Sequence, residues 1–447
     1  MSSTNVATLI DRNRRRQTLR FSYFEGSFYA VMVALAESFA LFFAVKKGLT
    51  PTQVGLISTV PMMFGALGNW LVPQIVSDRW LKTGVVSTVV VQIAGVILLI
   101  VSTQKENHFA WCFAAMSLYW LGQMTAAPLW MDWISGWLPP QRFGRFIARR
   151  NSFLALVTLA MLWLGAYAVH STDSQSDGMR VFMWVFSLGL LARCISLVLL
   201  ALQDSPPRIP DQARRPMAKA DRWPLWGVIA VVGFAALFKL VANIASPYFL
   251  PYMVDQLHFS VFDVSIVNGM SFLGLALLMT SYGEAMKSFQ PLMGLQVAMF
   301  MAAANCLLWL LFSDVFLLSM LQLFAGLYWA GFDLACVLIL QSQFPGKFRQ
   351  ALGVHLGLSS VATIGGSLWG SALQNQGIEY GDLFALSAWL RLGLALLFLV
   401  LMFRLKNYRV SWSHYRGFLR EAAVPRFTFI EMSRIIPRGF LRRRGRS

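Results

Sequence analysis

Long apolar stretches, each about the length of a bilayer-crossing helix, alternate with short polar breaks along the whole chain. One of them, VVSTVVVQIAGVILLIVS, contains no ionised residue. A helix of roughly 20 apolar residues matches the ~30 Å hydrocarbon layer. Only helices and closed barrels satisfy their backbone there. Read this way, the pattern predicts spans near 22–45, 52–76, 84–103, 109–137, 151–170, 180–202, 225–254, 261–284, 290–313, 315–342, 350–372 and 382–404. The expected fold is therefore an all-α integral membrane protein with 12 transmembrane helices in two six-helix bundles. A polar linker, DSPPRIPDQARRPMAKADRW, divides them six and six. The implied organisation is a basic tail (1–21), a first bundle (22–202), a linker (203–224), a second bundle (225–404) and a second basic tail (405–447).

Composition supports lipid as the solvent. Of the 447 residues, 57% are hydrophobic and only 13% charged, against about 25% charged in a soluble domain. The net charge of +18 first suggests nucleic acid, but its placement argues against that reading. Most of the excess lies in the two tails, as expected beside an anionic leaflet. Placing both termini and the linker on one side puts 31 Lys and Arg there and 4 on the other. This is the positive-inside pattern of cytoplasmic termini, and it points to the cytoplasmic (inner) membrane. The N-terminal segment has no apolar core or cleavage site of a removable signal peptide. Cys112, Cys194, Cys306 and Cys336 all fall in apolar runs without C-x-x-C spacing, so neither disulfides nor a metal site are expected.

The stretch PLWMDWISGWLPPQRFGRFIARRN (128–151) condenses this topology. Trp130, Trp133 and Trp137 fit the inner interface, the prolines end a helix, and Arg142, Arg145, Arg149 and Arg150 face the cytoplasm. Internal repeats reinforce the division into halves. LPPQRFGRF matches QFPGKFRQA, aligning Pro140, Arg142 and Phe143 with Pro345, Lys347 and Phe348. LTPTQVGLIS matches FSVFDVSIVN, and FSLGLLAR matches FALSAWLR, which sets Arg193 opposite Arg391. Three matches in the same order indicate two homologous halves, an arrangement seen in transporters with a midplane site between repeats.

With these features the chain resembles the major facilitator superfamily over nearly its whole length. The resemblance is carried by QIVSDRWLKTG between spans two and three, where Asp78, Arg79 and Lys82 fit the family's acidic-basic loop and Gln74 and Leu81 replace its glycines. Trp130, Trp133, Pro139, Gly144, Arg145, Arg149, Arg150 and Asn151 form a pattern similar to that of a group of prokaryotic members. The resemblance implies alternating access about a central cavity, a gate at the inner ends of the spans, and no cofactor.

Ionisable groups inside hydrocarbon are costly and mark candidate sites. Glu37 lies in span one, roughly 13 Å from its outer end, as a candidate proton carrier or cation ligand. Lys239 and Asn243 share a face of span seven, which should bend at Pro247 and Pro251. Asp333 in span ten, with Trp329 and Tyr328, and Tyr119, Trp120 and Gln123 in span four, lie on helices that line the family's cavity. Gln92 and Asn268 are further polar candidates. His355 has no second ligand at metal spacing. Arg193 and Arg391, related by the repeat, are read as structural charges bonded to neighbouring carbonyls. Asp78, Arg79, Lys82, Asp132, Arg142 and Arg145 form the candidate cytoplasmic gate, with Asp132 expected to pair with Arg79 or Lys82. The C-terminal tail is either an amphipathic segment on the inner leaflet or a disordered basic tail.

No nucleotide-binding loop or hydrolase motif is present, so no enzyme is expected. The expected partners are a small-molecule substrate and anionic membrane lipids, with no nucleic acid and a monomeric chain. The leading reading is a secondary transporter of a small organic solute, with protons as the coupling ion. A non-transporting sensor or an assembly factor for lipid or pigment on the same scaffold, and a lipid flippase, are the alternatives.

Overall fold

The computed structural model describes residues 3–105, 108–170, 175–206, 223–406 and 411–424. Most of the linker and of the C-terminal tail lie outside these described residues. The first half comprises α1 (Ser3–Met32), a π-helical turn (Val33–Glu37), α2 (Ser38–Lys46), α3 (Pro51–Ile75), α4 (Leu81–Ser102), α5 (His108–Ser135), α6 (Pro140–His170) and α7 (Gln175–Ala201). The second comprises α8 (Leu225–Ala245), the short α9 (Phe249–Pro251), α10 (Val261–Phe289), α11 (Pro291–Leu308), α12 (Val315–Gln343), α13 (Phe348–Asn375) and α14 (Tyr380–Lys406). A last helix, α15 (Trp412–Ala422), follows.

Among the described residues, 11 helices are long and apolar enough to cross a membrane. The helix missing from that set is α5, which has 28 residues and so falls short in hydropathy, not in length. It packs against both α3 and α4, and its Tyr, Trp, Gln and Thr side chains lower its hydropathy.

Two helices begin well before the spans expected at 22 and 151: α1 starts at Ser3 and α6 at Pro140. Arginine is a good helix former, and proline at the first helical position starts a helix whose amide there needs no partner. Span seven does break near its prolines: a 3-10 turn (Ser246–Tyr248), α9 and a π turn (Tyr252–Gln256) replace regular helix.

The two halves repeat in their packing. The pairs α1–α6, α1–α7, α3–α5, α4–α5 and α4–α7 have as counterparts α8–α13, α8–α14, α10–α12, α11–α12 and α11–α14. The contacts between halves pair off too: α3–α13 is the counterpart of α6–α10, and α5–α13 of α6–α12. Local sequence repeats too. Thr50 and Gln53 form a capping box at the start of α3, and Ser260 and Asp263 form the same box at the start of α10. Each satisfies amides that a helix start leaves open.

Close helix approach depends on glycine. A Cβ on Gly274 in α10 would lie 1.7 Å from the Leu323 carbonyl oxygen, and one on Gly326 in α12 would lie 1.7 Å from that of Ser271. The α4–α5 pair is built alike, with Gly95 against Ala115 and Tyr119 and Gly122 against Thr88 and Gln92. Small residues that let backbones approach are the main means of association in lipid, where no hydrophobic difference separates helix from solvent.

Gly326→Ala should therefore destabilise the protein by at least the ~1–3 kcal/mol typical of overpacking. Gly55→Ala, where nothing lies within 4 Å, should change little. Thermal unfolding of the detergent-solubilised chain compares them, and equal midpoints would remove glycine contact as the basis of the α10–α12 crossing.

Candidate functional site: a cavity closed at the linker end

Glu37 ends the π-helical turn between α1 and α2. Such turns insert an extra residue and recur at functional positions. Its carboxylate accepts from the Tyr119 hydroxyl at 2.5 Å and from Gln123 Nε2 at 3.2 Å. Both donors are neutral, and Glu37 forms no salt bridge among the described residues. Tyr119 and Gln123 are thus brought to Glu37 as α5 crosses α1 and α2. Trp120 packs edge-on against the Tyr119 ring at 5.6 Å, away from the carboxylate.

The network continues inward. Gln123 Oε1 accepts from Gln92 Nε2 at 2.5 Å, and Gln92 Oε1 accepts from Arg193 Nε at 2.8 Å. Arg193 lies 3.6 Å from the Glu25 carboxylate, whose other oxygen is 2.9 Å from Arg150 Nη2. Arg193 therefore bonds side chains, not the carbonyls expected for it. Its repeat partner Arg391 does bond carbonyls, those of Ala242 and Ala302. Glu25 was not singled out from sequence, and Arg150, expected to face the cytoplasm, is instead 7% exposed and paired with it. The signal was Arg193 itself: a guanidinium only 3% exposed calls for a carboxylate.

In the second half, Lys239 Nζ lies 2.9 Å from Asp333 Oδ1 and 4.6 Å from the Trp329 ring centroid. Cation–π contact adds to the ion pair. Asn243 donates to the Lys239 carbonyl and to Thr363 Oγ1, which ties α8 to α13. His355 is buried with Nδ1 unpartnered, and no metal-holding cluster occurs among the described residues.

Asp333 and Trp329 line a cavity of about 610 Å³ that also reaches Asn268, Gln322, Trp309 and Arg391. The expected site was central, between the halves. All but three of the lining residues belong to the second half, and Met131, Ile147 and Asn151 supply the first. The break in α8 and the aromatic packing around Phe249 and Trp309 open space there. Glu37 and Lys239 are not on its lining.

The end bearing the linker is sealed. Arg349 in α13 donates to Asp78 at 3.0 Å and to Asp132 at 3.1 Å, and also to the Pro73 carbonyl. Asp132 thus pairs with Arg349, where Arg79 or Lys82 was expected, because the first turn of α13 lies against the end of α3. Arg79 instead lies over Trp80, and Arg142 is exposed. On the other contact, Arg145 Nη2 donates to Glu284 Oε2 at 2.6 Å, with Arg149 3.9 Å from the same carboxylate. Arg349 and Glu284 were invisible as gate residues in the sequence, since partners from opposite halves carry no local signal.

Residues 19–244 match the family model described as Major Facilitator Superfamily. The chain belongs to that superfamily. It is a multi-pass membrane protein. No curated protein matches the sequence. Among solved structures, the Escherichia coli fucose:proton symporter FucP is similar at a TM-score of 0.62 and 12% identity, over 85% of this chain and 98% of that one. The human organic anion transporter MFSD10 (TETRAN) is similar at 0.62 and 15%, over 86% and 99%. A bacterial homologue of the iron transporter ferroportin in the outward-facing state is similar at 0.59 and 14%, over 87% and 99%.

The two acids on Arg349 should differ in weight. The side chain of Asp132 is 8% exposed and that of Asp78 72%. Asp132→Asn should cost roughly 3–5 kcal/mol, the range for removing one partner of a buried pair. Asp78→Asn should cost about 1 kcal/mol or less. Unfolding of the two variants in parallel checks this, and equal losses would contradict it.

Proposed function

We propose that the chain is a secondary transporter of a small organic solute, working by alternating access and coupled to protons. The observation that carries this reading is a solute-sized cavity beside a seal made of contacts between the two halves. Ligand pockets run about 300–1,000 Å³, and the cavity falls in that range. Its lining joins aromatic rings to amides, hydroxyls and the Asp333 carboxylate, which suits a polar organic solute. Fucose–proton symport and organic anion transport, named for two similar structures, lie within that class.

The bias of Lys and Arg assigns the linker end to the cytoplasm. The conformation then has its cytoplasmic side closed, and release inward requires Arg349 to leave Asp78 and Asp132, and Arg145 to leave Glu284. Asp78, Asp132 and Arg145 act as gate residues in this scheme, with Lys82, Arg79 and Arg142 at its rim. Lys239 and Asp333 form an ion pair at the edge of the cavity that solute can open or reinforce.

Glu37 is assigned the proton. A carboxylate buried in a span needs a proton or a cation, and this one is held by neutral donors alone. Glu25, by contrast, already pairs with two guanidiniums. The cavity also weighs against a scaffold whose centre is filled by tryptophan.

Reconstituted into liposomes and screened with sugars, nucleosides and organic anions, the protein should accumulate at least one solute under an inward pH gradient. Glu37→Gln should abolish that accumulation while leaving solute exchange at zero gradient. Uptake indifferent to the gradient, or a Glu37→Gln variant that still concentrates solute, would defeat the proton assignment.

A further inference from the structure

A second cavity, about 180 Å³, lies within the first half. It is walled by α1, α4, α5, α6 and α7 and is separate from the contact between halves. Its two guanidiniums outnumber its one carboxylate. Arg193 is 3% exposed and Arg150 7%, and both line the chamber. Between them stands one carboxylate, that of Glu25, 4% exposed. Two guanidiniums against one carboxylate leave one positive charge in excess inside a membrane-embedded bundle.

The donors are also incompletely used. Arg150 spends Nε on the Ser22 carbonyl and Nη2 on Glu25. Arg193 spends Nε on Gln92 and Nη1 on Ser196. One terminal nitrogen of each guanidinium has no partner among the described residues. The indole Nε1 of Trp130, a lining residue, is buried and unpartnered, although Arg150 lies over its ring at 4.3 Å. A buried donor without an acceptor costs free energy, and an uncompensated buried charge costs more. A single anion with several lone pairs would relieve both at once.

We propose that this chamber is a binding site for a compact monoanion, a halide or a short carboxylate, held by Arg150, Arg193 and the Trp130 N–H, with the Tyr29 hydroxyl beside it. The charge excess fixes the valence: one negative charge neutralises the cluster, and two would overshoot. The volume fixes the size, since it is well below the ~300 Å³ at which organic ligand pockets begin. Access runs through Met131, Ile147 and Asn151, which line both cavities. The site also connects to Glu37, because Arg193 holds Gln92, which holds Gln123, which donates to Glu37. An anion on Arg193 therefore sits at the far end of the chain of bonds that sets the Glu37 environment.

The test is calorimetric titration of the intact purified protein with sodium chloride and with sodium acetate. Ionic strength is held constant with gluconate, which is too bulky for the chamber. Saturable binding of either anion supports the site. Chloride alone identifies a halide, and acetate competing with chloride identifies a carboxylate in the same place. Trp130→Phe keeps the ring under Arg150 and removes the N–H, so affinity should fall roughly tenfold, as for a hydrogen bond to a charged group. Glu25→Gln removes the competing carboxylate, so affinity should rise, an outcome that a merely structural role for these residues does not produce. No saturable isotherm in the wild-type protein, heats that follow ionic strength alone, or a Trp130→Phe affinity equal to wild type would each overturn the proposal. None of these readouts requires a transported solute, so failure here is separate from failure of the transport reading.

Discussion

Inside hydrocarbon an ionised group must find its counter-charge within the protein, and that requirement organises this structure. Arg349 gathers Asp78 and Asp132, Arg145 takes Glu284, Lys239 takes Asp333, and Arg150 and Arg193 share Glu25. Two of these groupings bridge the halves, and two lie within a half. The bridging ones join the two halves at the linker end, and the internal ones tie helices within a half. Glu37 stands outside the scheme as an acid whose partners, Tyr119 and Gln123, are neutral donors.

The repeat explains where the seal lies. Phe143 and Phe348, which the sequence repeat aligns, meet edge to face with centroids 6.1 Å apart. A residue touching its own counterpart must lie on the local twofold axis that relates the halves. The symmetry holds in geometry and breaks in chemistry. Arg145 and Glu284 align through the repeat with Gln350 and Gln74, and those two residues also meet, Gln74 Nε2 donating to the Gln350 carbonyl at 3.4 Å. One contact is an ion pair and its counterpart a neutral bond. The charge missing from the neutral side is supplied next door by Arg349, so both edges of the seal carry a guanidinium near the start of a helix.

What could be read in the sequence follows from how local each signal is. Span count and register rest on hydropathy, which a helix carries in its own residues; α5 departs because its Tyr, Trp, Gln and Thr residues lower that hydropathy. The repeat of LTPTQVGLIS in FSVFDVSIVN appears in the structure as matching capping boxes at the starts of α3 and α10. Glu37 is conspicuous because a carboxylate in an apolar run is rare. Its companions Tyr119 and Gln123 were named for their helix, not for that contact. Arg349 and Glu284 look like ordinary interfacial charges until the opposite half is in place. Glu25 lies so near the start of its span that it passes for an end residue. The displaced cavity has no sequence signature beyond the prolines of span seven, which mark a break without saying what space it opens.

One turn of α10 shows how the seal reaches beyond the two helices that make it. Ser281 donates to the Val424 carbonyl just past α15. Tyr282 donates to the Gly294 carbonyl of α11 at 2.6 Å, rests on Gly331 of α12, and packs edge-on against Phe418 of α15 at 5.1 Å. Gly283 abuts Ala148 of α6, and Glu284 takes Arg145. Four successive residues thus face four elements, as a helix with 100° between residues must arrange them. Phe418 is fully buried, so α15 cannot slide freely over this turn. Glu284 therefore meets α6 from a turn that α11, α12 and α15 already grip. The same side chains that make the seal specific make the half behind it rigid.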